Sequence, residues 1–221
     1  MARPRSASRT TARCVMRSSE AGSRLVYGPE VICVAPIGTV RADVVQRVVR
    51  WLREALGLPV VIGRIPIDPE NAFLSNRKQY DARKLLLELR EHSASGAVRL
   101  IGITERDLCN VILDFVFGEA QLDGNVAICS AYRLGEGEEE GSRPGRGVDR
   151  LTKVVLHELG HVFGLGHCEE EDCAMHEAKT LEDIDRRRAR YCPSCVEALD
   201  WEVRHWAPFS ADTPVAPPCA A

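Results

Sequence analysis

Two histidines and a glutamate stand close together in the run His-Glu-Leu-Gly-His at residues 157–161. Residues four apart lie on one face of a helix, so His157 and His161 can bind the same metal ion. Glu158 can then reach a water molecule held by that ion and take its proton. The motif alone also occurs in exposed helical turns that bind no metal, so its meaning depends on the residues around it.

A glycine and a third histidine follow the motif, at Gly164 and His167. Because glycine can adopt the left-handed conformation that ends a helix, the chain can turn here and bring His167 to the same ion. Three neutral imidazoles and a water molecule form an open catalytic zinc site, in which zinc lowers the pKa of the water to roughly 7. Such a site hydrolyses peptide bonds, with Glu158 passing the proton to the leaving amine.

A cluster of cysteines lies just downstream, in the patterns CxxxxC and CxxC. Four thiolates are the ligand set of a closed structural zinc site, whereas two disulfides or buried free thiols are the alternatives. We predict zinc, and the odd total of nine cysteines also argues against a closed disulfide framework. Cys168 directly follows His167, so the second ion would hold the loop that carries the third histidine. The four predicted ligands are Cys168, Cys173, Cys192 and Cys195.

Short apolar runs alternate with helical patterns before this region. Strands are predicted over residues 31–37, 59–67, 99–103, 115–117 and 126–134. The helical spacing of valines and leucines predicts a helix from Val44 to Leu56, ended by Gly57. Further helices are predicted over residues 80–92 and 149–165. This alternation of strands and helices predicts an α/β layered fold.

Composition and charge narrow the possible classes of protein. The chain has 221 residues, of which 45% are hydrophobic and 28% charged, and this predicts one globular domain. We place that domain at residues 28–206, between a disordered basic tail over 1–27 and a disordered proline-rich tail over 207–221. No apolar run approaches the roughly 20 residues that a membrane span needs. The net charge of −3 gives no support to a binder of nucleic acid or of acidic membranes.

The complete pattern HExxHxxGxxHCxxxxCxM, followed by CxxC, resembles the archaemetzincin family of the metzincin clan. The stretch DFVFGEAQLDGNVAICSAYRL, residues 114–134, is also similar to that family. The resemblance covers roughly residues 32–206. It implies a zincin-like α/β (α+β) fold, with a mixed twisted sheet, two long helices and a small C-terminal subdomain that carries the four-cysteine zinc site. The active-site cleft would lie between an upper subdomain, 28–166, and a lower subdomain, 167–206.

The resemblance also implies a role for individual residues. It makes Glu158 the general base and Met175 the methionine of the turn beneath the catalytic site. The strand at 126–134 would form the edge above the cleft, to which an extended peptide can add; an ordinary interior strand is the alternative. His176 is either a donor to a neighbouring group or an exposed turn residue. The implied ligands are His157, His161 and His167 for the catalytic zinc and the four cysteines for the structural zinc.

We therefore expect a zinc-dependent metallopeptidase with two zinc ions per chain and a peptide or protein substrate. The alternative is a zinc-stabilised peptide-binding protein that has little or no catalytic activity. A nucleic-acid binder that uses the four-cysteine site and the basic tail is disfavoured by the net charge. Cytoplasmic thiols stay reduced, so the four-cysteine site indicates a cytoplasmic protein. We further expect a monomer, with neither nucleic acid nor membrane as a partner.

Overall fold

The computed structural model describes residues 31–93, 98–135 and 145–205. The tails predicted over 1–27 and 207–221 lie outside these ranges. Within the ranges the strands are β1 (Val31–Pro36), β2 (Val60–Ile62), β3 (Phe73–Leu74), β4 (Gln79–Asp81), β5 (Val98–Thr104), β6 (Leu108–Cys109), β7 (Gly118–Ala120) and β8 (Val126–Ser130). They form a five-stranded sheet in the order β2-β1-β5-β8-β7 and a small sheet in the order β3-β4-β6. Strand β7 runs antiparallel to β8, whereas the other neighbours in the large sheet are parallel.

Helices cover both faces of the large sheet. They are α1 (Ala42–Leu56), α2 (Ala82–His92), α3 (Arg146–Val162), α4 (Leu181–Arg186) and α5 (Pro193–His205). Helices α1 and α3, the two longest, pack on one face of the sheet, and α2 packs on the other. The predicted α/β fold, with a mixed sheet and two long helices, is confirmed. No helix in the described part of the chain is long and apolar enough to cross a membrane.

The burial of β1 explains why its sequence is a continuous apolar run. Ile32 and Val34 pack against α1 and α3, whereas Cys33 and Ala35 face the α2 side. A central parallel strand with helices on both faces has no side that can be polar.

Two predicted elements are shorter in the structure. The strand predicted over 59–67 is regular only over Val60–Ile62, and the last backbone bond to β1 runs from the Gly63 N–H to the Val34 carbonyl at 2.8 Å. The helix predicted over 80–92 begins at Ala82. Asp81 caps it, since its carboxylate accepts hydrogen bonds from the backbone N–H of Arg83 at 3.0 Å and Lys84 at 3.4 Å.

The strands near the cleft differ from the prediction. Residues 115–117 form no strand, and they make isolated backbone bonds such as Ser130 N–H to the Phe117 carbonyl at 2.8 Å. Regular pairing begins at Gly118, in β7. The prediction that residues 126–134 form the edge strand is also wrong. Strand β8 ends at Ser130 and is interior, because β5 pairs with one side of it and β7 with the other.

An ion-pair cluster joins α4 to α3. The Asp185 carboxylate accepts hydrogen bonds from Arg146 at 2.6 Å and from two nitrogens of Arg150 at 2.9 and 2.8 Å. Arg150 is 4% exposed and also donates to the Leu134 carbonyl. The hydrogen bonds from Arg150 and Arg146 lower the pKa of Asp185 to about 2. This cluster therefore fixes α4 against the helix that carries the histidine motif.

We predict that Asp185→Asn lowers the free energy of unfolding at neutral pH by about 3 kcal/mol, because the buried Arg150 loses its counter-charge. The folded-state pKa of Asp185 lies below its usual value of 3.8. The stabilisation is therefore fully present above pH 3.8 and declines as the pH falls towards 2. Denaturant unfolding of both proteins over this pH range measures it. A difference between them that does not depend on pH would contradict this account.

Candidate active site

Two imidazoles of α3 point at one another. The Nε2 atoms of His157 and His161 lie 3.1 Å apart. Each Nδ1 atom lies 2.8 Å from a backbone carbonyl oxygen, that of Ala174 for His157 and that of Leu165 for His161. A carbonyl oxygen only accepts, so each Nδ1 carries the hydrogen and each Nε2 presents a lone pair. Both lone pairs are therefore directed into the same space, as a shared metal ion requires.

The third histidine reaches the same space from beyond the helix. Gly164 has a φ of +84°, the left-handed conformation expected from its position after the motif. The ring of His167 lies 5.3 Å from that of His157 and 5.0 Å from that of His161, measured between centroids. One nitrogen from each of the three histidines lies within 4.8 Å of the others. The structure thus brings together the three imidazoles that the sequence grouped.

Burial keeps these groups suited to binding a cation. His157 is 7% exposed, and burial, assisted by the positive charge of Arg187, lowers its pKa to about 3. Burial likewise lowers the pKa of His161. Both side chains are therefore neutral near pH 7, the protonation state in which imidazole binds metals.

Glu158 lies against the edge strand. Its side chain is buried, and burial raises its pKa to about 8, an effect that the positive charge of Arg187 opposes. A Cβ atom added to Gly118 would lie only 2.7 Å from both Cγ and Oε1 of Glu158. Only glycine at this place in β7 leaves room for the carboxylate.

Met175 packs beneath the histidines. It is fully buried, and a Cβ atom on Gly160 would overlap its sulfur. Gly160 lies between the two histidines of α3, so its lack of a side chain lets the methionine approach the helix closely. Tyr191 also packs near Gly160, and its hydroxyl donates a hydrogen bond to the Leu156 carbonyl of α3 at 2.7 Å.

The four predicted cysteines also lie together, with all sulfurs within 4.8 Å of one another. The Cys173 sulfur accepts hydrogen bonds from the backbone N–H groups of Met175 at 3.4 Å and Cys192 at 3.3 Å. The cysteines in the described ranges are all free thiols, so the disulfide alternative finds no support there. His176 is half-buried, and its Nδ1 lies 2.9 Å from the Cys168 carbonyl oxygen. It is thus a donor to a neighbouring group.

A cavity of about 540 Å³ opens beside the histidines and Glu158. Apolar side chains from several elements form part of its wall: Phe117, Val154, Ala178 and Ile184. Arg187 also lines this cavity, although it is 4% exposed. The sequence analysis missed Arg187, because it stands in a run of three arginines that reads as a solvated surface segment. It also missed Gly118, which no local pattern distinguishes from other glycines.

Three converging imidazoles, an adjoining buried glutamate and a cleft beside a sheet edge define a zinc metallopeptidase. The model of peptidase family M54 matches residues 33–201. The chain is 34% identical over 173 residues to the archaemetzincin of Haloquadratum walsbyi, covering 76% of this chain and 99% of that one. This chain belongs to peptidase family M54, the archaemetzincins.

Solved structures agree with this assignment. The crystal structure of archaemetzincin from Methanopyrus kandleri superposes with a TM-score of 0.70 at 32% identity, covering 80% of this chain and 97% of that one. A zinc-dependent peptidase from Methanocorpusculum labreanum gives a TM-score of 0.68 at 30% identity, covering 76% and 99% of the two chains. The archaemetzincin fold expected from the motif is therefore confirmed.

We predict that Gly118→Ala lowers peptidase kcat by about 10²-fold, because the new methyl group displaces the Glu158 carboxylate. Zinc content should not change, since the substitution does not contact the histidines. Steady-state kinetics together with metal analysis measure both effects. Gly135→Ala is the control, because a Cβ atom there meets nothing within 4 Å. Full activity of Gly118→Ala would show that the position of Glu158 relative to the edge strand is unimportant.

Proposed function

We propose that this protein hydrolyses peptide bonds with a zinc ion held by His157, His161 and His167, and with Glu158 as the general base. The convergence of one nitrogen from each of three imidazoles beside a buried carboxylate is the observation that carries the proposal. When bound in such a site, zinc makes water acidic enough to act as a nucleophile and polarises the carbonyl group of the substrate.

The chain's own residues then manage the protons. Glu158 accepts a proton from the attacking water and donates it to the nitrogen of the leaving amine. Its position supports this role, because the side chain lies on the wall of the cavity beside the histidines, within reach of both the attacking water and the leaving amine. The Nδ1 bonds to the carbonyls of Ala174 and Leu165 keep two of the imidazoles oriented throughout.

We further propose a second, structural zinc ion bound by Cys168, Cys173, Cys192 and Cys195. Four sulfurs in one cluster leave no position for water or substrate, so this ion has no part in the chemistry. Because Cys168 follows His167, the second ion would fix the third imidazole in place. The segment from 167 to 206 would then act as a lower subdomain, facing an upper subdomain over 28–166 across the cleft, as in metzincins.

The setting of the protein is part of the same proposal. It acts as a monomer in the cytoplasm on peptide or protein substrates, with neither nucleic acid nor membrane as a partner. The free thiols in the described residues support a reducing compartment, since a four-thiolate zinc site needs cysteines that are not oxidised.

The central test is Glu158→Gln, which keeps the size of the side chain but removes its basicity. We expect kcat/KM to fall by about 10²–10⁴-fold while zinc content stays the same. The control is Glu177→Gln, an exposed acid on the same cavity. Cleavage of a peptide library by the three zinc-loaded proteins provides the measurement. Equal activity of wild type and Glu158→Gln would remove Glu158 from the mechanism. Peptide binding without cleavage by the wild type would favour the non-catalytic alternative.

We predict two zinc ions per chain in the wild type and one in Cys173→Ser. The variant should also unfold at a lower temperature, because the metal stabilises the segment that holds the histidines. Elemental analysis and calorimetry measure these quantities. Cys109→Ala, at a buried cysteine outside the cluster, should keep both ions. A single zinc in the wild type, together with four cysteine thiols that remain free to react, would rule out the structural site.

A further inference from the structure

Arg187 lines the cleft but has no part in the mechanism above. Its side chain is 4% exposed, yet it reaches the cavity that holds Glu158 and His157. Removing a guanidinium from water costs free energy unless a counter-charge or hydrogen bonds replace the lost solvation. The hydrogen bonds and ion pairs of Arg187 therefore show whether its charge is compensated.

The guanidinium of Arg187 has at least one N–H group without a hydrogen-bond partner. Nη1 donates to the Ala174 carbonyl at 3.2 Å, and this carbonyl also contacts His157. The Nε atom is buried and has no hydrogen-bond partner. No carboxylate among the described residues lies within 4.0 Å of the guanidinium nitrogens. Arg187 thus lines the cleft with a positive charge that no carboxylate of the described residues pairs.

Apart from Glu158, the acids that line the cavity have cationic partners. Each of three acids on its wall lies within 4.0 Å of a cation: Asp114 with Arg77 at 3.7 Å, Glu119 with Arg83 at 3.8 Å, and Glu177 with Lys179 at 3.1 Å. Glu158 interacts electrostatically with Arg187 but lies beyond ion-pair distance. Within the described part of the cavity wall, Arg187 is therefore the buried cation that an incoming anion can approach without breaking an ion pair.

The position of Arg187 indicates which part of a substrate it meets. The leaving nitrogen must come within hydrogen-bond reach of Glu158 to receive its proton. The residue that follows the cleaved bond carries this nitrogen, so its side chain extends into the cavity beside Glu158. The walls there are the apolar side chains of Phe117, Val154 and Ile184, and Arg187 adds the charge.

We propose that Arg187 binds a carboxylate of the substrate residue that follows the cleaved bond. The inference rests on the proposed peptidase function and names its preferred substrate. The carboxylate belongs either to an Asp or Glu side chain or to a free C-terminus at that residue. The planar guanidinium suits a carboxylate, because its N–H groups match the two oxygens.

The test uses peptides of one sequence in which the residue after the cleaved bond is Glu, Gln or Leu. A second set ends at that residue, with either a free carboxylate or an amide. We expect zinc-loaded wild type to favour Glu over Gln, or the free acid over the amide, by at least about tenfold in kcat/KM. The set that shows the preference identifies the source of the carboxylate.

Two variants distinguish binding of the substrate carboxylate by Arg187 from its hydrogen bond to the Ala174 carbonyl. In Arg187→Met, the ratio of kcat/KM for the charged peptide to kcat/KM for the uncharged peptide should fall close to one. Arg187→Lys should retain part of the wild-type ratio. Loss of the Arg187 bond to the Ala174 carbonyl could displace His157 and lower activity towards every peptide. Such a loss cancels in the ratio, because both kcat/KM values are measured with the same protein. Lys179→Met is the control for charge at the cavity mouth and should keep the wild-type ratio.

Equal kcat/KM values of the wild type for the charged and uncharged peptides would overturn the inference and leave the proposed function intact. So would a preference that survives in Arg187→Met. If the zinc-loaded wild type cleaves no peptide at all, the proposed function fails, and the inference fails with it.

Discussion

The backbone carbonyl oxygens of Ala174 and Leu165 determine how the histidines of the motif can act. Each accepts the Nδ1 hydrogen of one imidazole at 2.8 Å, which turns the Nε2 atoms of His157 and His161 towards a common point. Without these bonds each ring could rotate or change tautomer, and the helix spacing alone would not direct the lone pairs. The chemistry of the cleft therefore depends on segments that lie outside α3.

The segment that contains Ala174 lies within the cysteine cluster. Ala174 lies between Cys173 and Met175, and the backbone N–H of Cys168 donates to the Met175 carbonyl at 2.9 Å. A metal ion bound by the four sulfurs would fix the Ala174 carbonyl and His167 together. The Ala174 carbonyl also accepts a hydrogen bond from Arg187. His157 and Arg187 thus bond to the same backbone carbonyl group, that of Ala174.

Much of this site could be predicted from sequence, because the placement of its histidines follows local rules. The spacing of the histidines fixes their common face on a helix, and Gly164 ends that helix as expected. Strand pairing is not local: which strand covers β8 depends on how residues 118–120 return to the sheet, and the edge was therefore assigned wrongly. Arg187 could not be found for the same reason, since its burial arises from tertiary packing, which includes a hydrogen bond to the Ala174 carbonyl.

The most direct measurement is a crystal structure of the zinc-loaded protein, with anomalous scattering recorded at the zinc absorption edge. The account predicts an ion bonded to nitrogens of His157, His161 and His167, with a solvent molecule at the remaining position within hydrogen-bond reach of Glu158. An ion that His167 does not bind, or one whose remaining position is filled by a protein side chain, would contradict it.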